Sequence, residues 1–295
     1  MGIAASKEAL KTAGVENPDA IIVGTGLGCL EETEKFLRNM LDTDEQTPAP
    51  TQFINSTHNS VAGQIALQIK CFGYNYTYVH KAFSFVSALD DACLQIELQG
   101  AKNVLLGGTD EFTESKHHFY DLIGYWKKDL PDTLSIYSQK GPGSTDGEGS
   151  AFFVLTPELS GAICQITGTA SVYGSDLSNV QAACLQLLQE NRLTADDIDL
   201  ILTGKNGDDR YDHFYEAICS DFPAKTTIGR FKHLCGSYYT ADAFGCWLAS
   251  EIFRTSVIPE YCIERKGKKS GNFRHILLCN NVLGNNHVFI LLSAC

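Results

Sequence analysis

Apolar residues recur along this chain at two spacings, one suited to helices and one to buried strands. Over residues 2–14, Ile3, Ala4, Leu10 and Ala13 interleave with lysines, which predicts an amphipathic helix. Residues 20–24 (AIIVG) form an unbroken apolar run, the mark of a buried strand, and the glycine loop 25–28 follows. Leu30, Phe36, Leu37 and Met40 predict a helix over 30–41. Residues 42–51 (DTDEQTPAPT) read as loop, because acids give way to two prolines. Ala62, Ile65, Ala66 and Ile69 share one helical face over 59–70. A strand over 76–79 then runs directly into a helix over 85–99, carried by Val86, Leu89, Cys93 and Ile96. Residues 103–108 (NVLLGG) predict another buried strand, 112–137 an irregular or helical stretch rich in aromatics, and 151–155 a strand.

A second half begins after Pro157. Residues 162–173 are extended, and Val180, Ala183, Cys184, Leu187 and Leu188 mark a helix over 178–192. Thr194 with Asp197 three residues on is a capping pattern. A strand over 198–203, helices over 214–219 and 240–254, and apolar strands over 276–279 and 288–292 complete the pattern. Strands alternate with helices in both halves, which argues for an α/β fold in two parts, 1–157 and 158–295.

The length of 295 residues suffices for two modest cores. Net charge is −12, from 35 acids against 23 bases, which disfavours nucleic acid and anionic membranes as partners. No apolar run reaches the roughly 18 residues a membrane-spanning helix needs, and the start lacks the apolar core of a secretory signal, so a cytoplasmic protein is expected. The eleven cysteines are scattered without any C-x-x-C pair, so they read as free thiols in a reducing compartment and not as zinc ligands. Basic residues cluster at Trp126-Lys127-Lys128 and at Arg265-Lys266-Gly267-Lys268-Lys269, as solvated turns or as docking points for an acidic partner.

Two places invite a chemical reading. Gly24, Gly26 and Gly28 stand between a strand and a helix, as in a dinucleotide loop, but Cys29 occupies the place of the third fingerprint glycine. No acidic residue closes a second strand about 20 positions on, so a tight packing turn is the expectation and no cofactor is implied. The other place is the elbow between the strand 76–79 and the helix 85–99, where His80, Lys81, Ala82, Phe83 and Ser84 lie. In many enzymes such a junction carries a nucleophile.

Several separated stretches resemble the β-ketoacyl synthases of the thiolase-like superfamily. They are VGTGLGCLEE, NSTHNSVAGQIALQIKCFGYNYTYV, the helix from Ser84, NVLLGGTDE, ADDIDLIL, KHLCGSYYTADA and above all GPGSTDGEGSAFFVL. The resemblance spans nearly the whole chain and implies a five-layer αβαβα thiolase-like fold. Family members begin with a strand and a long segment ahead of the helix matching residues 2–14, so an N-terminally truncated version is expected. The family runs a Claisen condensation with an elbow cysteine, favoured as thiolate at a helix N-terminus, and two histidines that hold a thioester carbonyl. Carried over, the cysteine position falls on Ala82, flanked by Lys81 and Phe83. The first histidine position falls on Lys205 or Asn206, and the second is kept as His233, with Gly236 after it. Lys232 replaces the preceding glycine, Ile228 stands where a lysine is expected with Arg230 close by, and the terminal glycine loop is reduced to Asn280-Asn281-Val282-Leu283-Gly284.

The resemblance therefore implies a degenerate synthase-like subunit without its nucleophile, similar to the chain-length factors of polyketide and polyene pathways. Its expected partners are an active ketosynthase subunit, or a second copy of itself, and an acyl carrier protein. Phe83, Phe85 and Val282 are candidates to line an acyl pocket, with Tyr76 and Tyr78 nearby, although these aromatics also fit ordinary core. Two other readings stay open: an active acyltransferase or condensing enzyme with an atypical site, and a homodimeric acyl-binding module.

Overall fold

The computed structural model describes residues 1–268 and 271–295. In chain order its elements are α1 (Gly2–Ala13), β1 (Ala20–Gly24), α2 (Leu30–Asp42), α3 (Pro50–Ser56), α4 (Ser60–Ile69), β2 (Tyr74–Tyr78), α5 (Ser84–Gln99), β3 (Val104–Asp110), α6 (Glu114–Leu122) and β4 (Gly149–Leu155). There follow β5 (Cys164–Tyr173), α7 (Leu177–Glu190), β6 (Leu200–Thr203), α8 (Asp212–Ser220), β7 (Thr227–Arg230), α9 (Lys232–Cys235), α10 (Ala241–Thr255), β8 (Ile263–Arg265), β9 (His275–Val282) and β10 (Asn286–Ala294). Two compact units emerge, and a single cut at 157 does not describe them. The first unit comprises Met1–Phe119, Gly147–Pro157 and Tyr238–Ala243, and the second holds Tyr120–Asp146, Glu158–Ser237 and Phe244–Cys295.

The first unit is built on a four-stranded sheet in the order β2-β1-β3-β4, parallel except for β4. Strands β1 and β3 are buried along their whole length, as the apolar runs predict for a sheet covered on both faces. Ile21, Val23, Leu105 and Phe152 pack on Leu10 of α1 and on Ala62 and Ile65 of α4. Strand alternation turns Gly24 and Gly108 the other way, toward α5. A Cβ on Gly24 would lie 2.6 Å from the Ser84 carbonyl oxygen, so glycine there lets the start of α5 sit directly on the strand end.

The second unit carries a six-stranded mixed sheet in the order β5-β10-β9-β6-β7-β8. Helices α7 and α8 cover one face, burying Val180, Leu187, Phe214 and Ile218 against Ile201, Leu277 and Phe289. From α10, Gly245 approaches so closely that an added Cβ would meet Leu278 at 2.2 Å. The helix α7 starts at Leu177 because Asp176 accepts the free backbone N–H groups of Ser178 and Asn179. The capping box at Thr194 and Asp197 forms as predicted, closing a single 3₁₀ turn.

Loop 42–51 departs from its sequence reading. Pro50 does not prolong the loop; it opens α3, where the missing proline N–H costs nothing and the fixed φ suits a first helical residue. Strand β2 begins at Tyr74 and ends at Tyr78, one residue short of the expected Val79. Among the described residues no helix is long and apolar enough to cross a membrane, and no cluster of His, Cys, Asp or Glu is arranged to hold a metal ion.

Candidate functional site

In the first unit the elbow is a compact turn. Strand β2 leads through Val79 and His80 into a 3₁₀ turn over Lys81–Phe83, and α5 follows at Ser84. Lys81 takes φ = +48°, a left-handed conformation that costs a non-glycine residue about 1–2 kcal/mol. Ala82 is 1% exposed, and its methyl group offers no atom for acyl transfer. Ser84 is fully buried, and its hydroxyl accepts the N–H of His80 at 2.8 Å, so it braces the turn. The Phe83 ring lies 5.3 Å from that of His80. Phe85 is core: it packs at Gly108, and its ring lies 6.2 Å from Phe153. Tyr76 and Tyr78 belong to a row of rings on the edge strand β2, with Tyr76 half exposed.

The loop after β1 closes on the carboxylate of Asp110 through Thr25 and Gly26. Asp110 is buried, and it accepts the N–H of Gly26 (2.8 Å), the N–H (2.9 Å) and hydroxyl (2.8 Å) of Thr240, and the hydroxyl of Thr25 (3.2 Å). Burial pushes its carboxyl above the usual range while these donors pull the other way. The glycine loop is thus a turn clamped by Asp110 and Thr25. The cysteines offer no activated thiolate where a shift is resolved. Burial raises Cys29, Cys93, Cys164, Cys219, Cys262 and Cys279, with Cys93 pushed up to about 11.

In the second unit, the segment after β6 holds both candidates for the first histidine position. Lys205 is turned to β8, where its ammonium pairs with Glu264 at 2.8 Å. The Asn206 side-chain oxygen accepts the N–H of Asp208 in its own loop at 3.2 Å, and its backbone carbonyl accepts the Ser144 hydroxyl at 2.6 Å. Its amide reaches Ser237 at 3.4 Å. At Gly207 an added Cβ would lie 2.4 Å from the carbonyl oxygen of Ile136, so the turn 133–137 sits directly on this loop.

The next residue in that turn, Tyr137, orders His233. The His233 backbone N–H donates to the Tyr137 hydroxyl (3.2 Å), and that hydroxyl lies 3.1 Å from His233 Nδ1. The hydroxyl uses both its functions only if it donates to Nδ1, which puts the imidazole proton on Nε2. His233 is 4% exposed, its Nε2 has no hydrogen-bond partner among the described residues, and the rings of Tyr137 and Tyr261 stand edge-on to it. Burial, and then the nearby Arg230 charge, lower its pKa from 6.5 to about 4, so the ring is neutral at pH 7. Arg230 itself stacks on Tyr137, with its guanidinium carbon 3.7 Å from the ring centroid. Tyr137 and Tyr261 escape sequence reading because the stretches around them have no periodicity that ties them to His233.

The remaining predicted positions carry less. Val282 ends β9, paired with Asn286, and the reduced glycine loop is a closed hairpin turn in which Asn281 accepts the N–H of Gly284 at 2.8 Å. A cavity of about 620 Å³ lies in the second unit, lined by Leu234, Phe244, Trp247, Ile252, Val257 and Tyr261 among others; Phe83, Phe85 and Val282 are not part of it. Of the basic clusters, Lys127 donates to the Gly141 carbonyl at 2.8 Å and Lys128 pairs with Asp121. In the other cluster the Arg265 guanidinium reaches the Thr226 carbonyl at 3.4 Å, and Lys269 lies outside the described residues.

Comparison with known proteins fits this geometry. The beta-ketoacyl synthase N-terminal domain model matches residues 1–160. A beta-ketoacyl synthase from Burkholderia phymatum superposes with a TM-score of 0.80 at 17% identity, covering 99% of this chain and 81% of that one. A ketosynthase in complex with its chain length factor from Xenorhabdus doucetiae gives 0.75 at 16% identity, covering 98% and 77%. A type II polyketide acyl-carrier protein in complex with its ketosynthase gives 0.81 at 13% identity, covering 99% and 83%. No curated protein matches the sequence. At these identities the structures establish a thiolase-like ketosynthase fold. The sequence match over more than half the chain goes further: this protein belongs to the beta-ketoacyl synthase family.

Proposed function

We propose that this chain is a non-catalytic, chain-length-factor-like subunit that pairs with an active ketosynthase in fatty acid, polyketide or polyene biosynthesis. The observation that carries this reading is Ala82 at the elbow, where a condensing enzyme needs a thiolate. Lys205 and Asn206, the two candidates for the first histidine position, support it, because Lys205 pairs with Glu264 and the Asn206 side-chain oxygen accepts the Asp208 N–H. The partner's surface lies on the first unit. β2 is an edge strand, and Phe72, Tyr74 and Tyr76 before and along it are 91%, 40% and 50% exposed. Leu94 and Leu98 of α5 are 48% and 70% exposed. An open apolar edge of this kind calls for cover, and obligate interfaces bury roughly 2,000 Å² or more.

The test is co-expression with ketosynthases from the same genome, affinity capture through this chain, and mass photometry of the product. A one-to-one complex that a Leu98→Glu and Tyr76→Glu double variant fails to form is expected. Covalent acylation of the isolated chain by acyl-carrier or acyl-CoA donors, or condensation by it alone, would end the reading in favour of an atypical enzyme. Recovery only as a homodimer that retains fatty acids would favour an acyl-binding module.

A further inference from the structure

Two donors in the second unit lack acceptors, and both adjoin the same ring. Arg230 closes β7 and lies over the face of Tyr137; its Nε is buried and has no hydrogen-bond partner, and the guanidinium has no carboxylate partner, among the described residues. His233 meets the edge of that ring, and Tyr137 fixes its proton on the buried, unpartnered Nε2. Buried N–H groups without acceptors are rare in folded proteins, and a partly buried cation without a counter-charge is costly. The ring stack does not remedy this, because it occupies the guanidinium face and leaves its N–H edge free.

We propose that Arg230 and His233 form a recognition site for the carboxylate of a small organic acid. A neutral carbonyl would satisfy the imidazole N–H but leave the guanidinium charge unmatched, so the ligand carries a negative charge. A planar carboxylate suits the planar fork of arginine and the flanking rings of Tyr137 and Tyr261. The organic portion has an apolar neighbour: Tyr261, and Leu234 next to His233, line the cavity of about 620 Å³, within the size range of small-molecule pockets. The site does not depend on the chain being an inactive partner, since an atypical enzyme would contain the same pair.

The experiment titrates the full chain separately with sodium octanoate, sodium malonate and inorganic phosphate, following the Arg230 Nε–H resonance by ¹⁵N NMR and the affinity by calorimetry. A saturable shift with a carboxylate is expected, weakened about tenfold or more by Arg230→Gln. Arg230→Lys, which keeps the charge and loses the fork, falls between the two. Tyr137→Phe releases the imidazole proton from Nε2 and weakens binding without moving the charge. If Arg230→Gln does not fold, the Nε–H shift in the unmodified protein decides. No saturable shift with either carboxylate, binding of phosphate alone, or undiminished affinity in Arg230→Gln would each overturn the proposal.

Discussion

Replacing His233 with glutamine should alter how stability depends on pH as well as its level. In the folded chain the ring titrates at about 4, against 6.5 when free, because burial and the Arg230 charge disfavour the imidazolium. The fold therefore prefers the neutral ring. Its contribution is fully present above pH 6.5 and is lost as pH falls toward 4, where the unfolded chain binds a proton that the folded chain refuses. From these two values the loss is about 2 kcal/mol at pH 5 and approaches roughly 3 kcal/mol below pH 4. The assay is urea denaturation of the wild type and His233→Gln at pH 7.5, 6.5, 5.5 and 5. The difference between the two proteins isolates this group from the others that titrate, His287 among them. Wild type should lose its advantage, or fall behind, by about 2 kcal/mol over that range. A difference that stays constant to within about 0.5 kcal/mol would show that the ring is not held neutral, and with it the assignment of the proton to Nε2 would fall.

Other outcomes follow from the same geometry. Asp110→Ala leaves the buried N–H groups of Gly26 and Thr240 without their acceptor and should cost about 2–6 kcal/mol in urea denaturation; a loss below about 1 kcal/mol would contradict the clamp. Lys81→Gly relieves a left-handed residue and should stabilise by up to about 1 kcal/mol, seen as a higher Tm; a fall in Tm would mean the lysine side chain does more than tolerate the turn. Ala82→Cys alone should not yield condensation from acyl and malonyl carrier-protein substrates, since one missing oxyanion donor costs about 10²–10³ in rate. Turnover by that single variant near that of an active ketosynthase would overturn the non-catalytic reading.

Most of the fold was legible because it rests on burial. The runs at 20–24 and 103–108 are apolar throughout since helices cover both sheet faces, and the 3.6-residue pattern of α4, α5 and α7 follows from packing on one side. Short elements were not: β7 and β8 have four and three residues, too few to show a period. Pro50 misled because a proline that stops one helix can also start the next. At the site, the resemblance points to Ala82, His233 and either Lys205 or Asn206 from neighbouring residues alone, whereas the pairing of Lys205 with Glu264, 59 positions away, is invisible in the local sequence. In the sequence Arg230 stands out only for its place near the missing lysine. Its stacking on Tyr137, 93 residues upstream, leaves no trace in either local sequence.

The Asp110 clamp bears on how the molecule matures as it leaves the ribosome. Thr240, which supplies two of the hydrogen bonds to that carboxylate, is translated 130 residues after it, so the first unit stays unfinished while most of the second is already being made. Until Tyr238–Ala243 emerges, a nascent chain keeps a buried acid short of its partners. Premature release at the end of β4 would therefore leave a fragment prone to aggregation or degradation, and chaperone dependence should ease once synthesis passes residue 243.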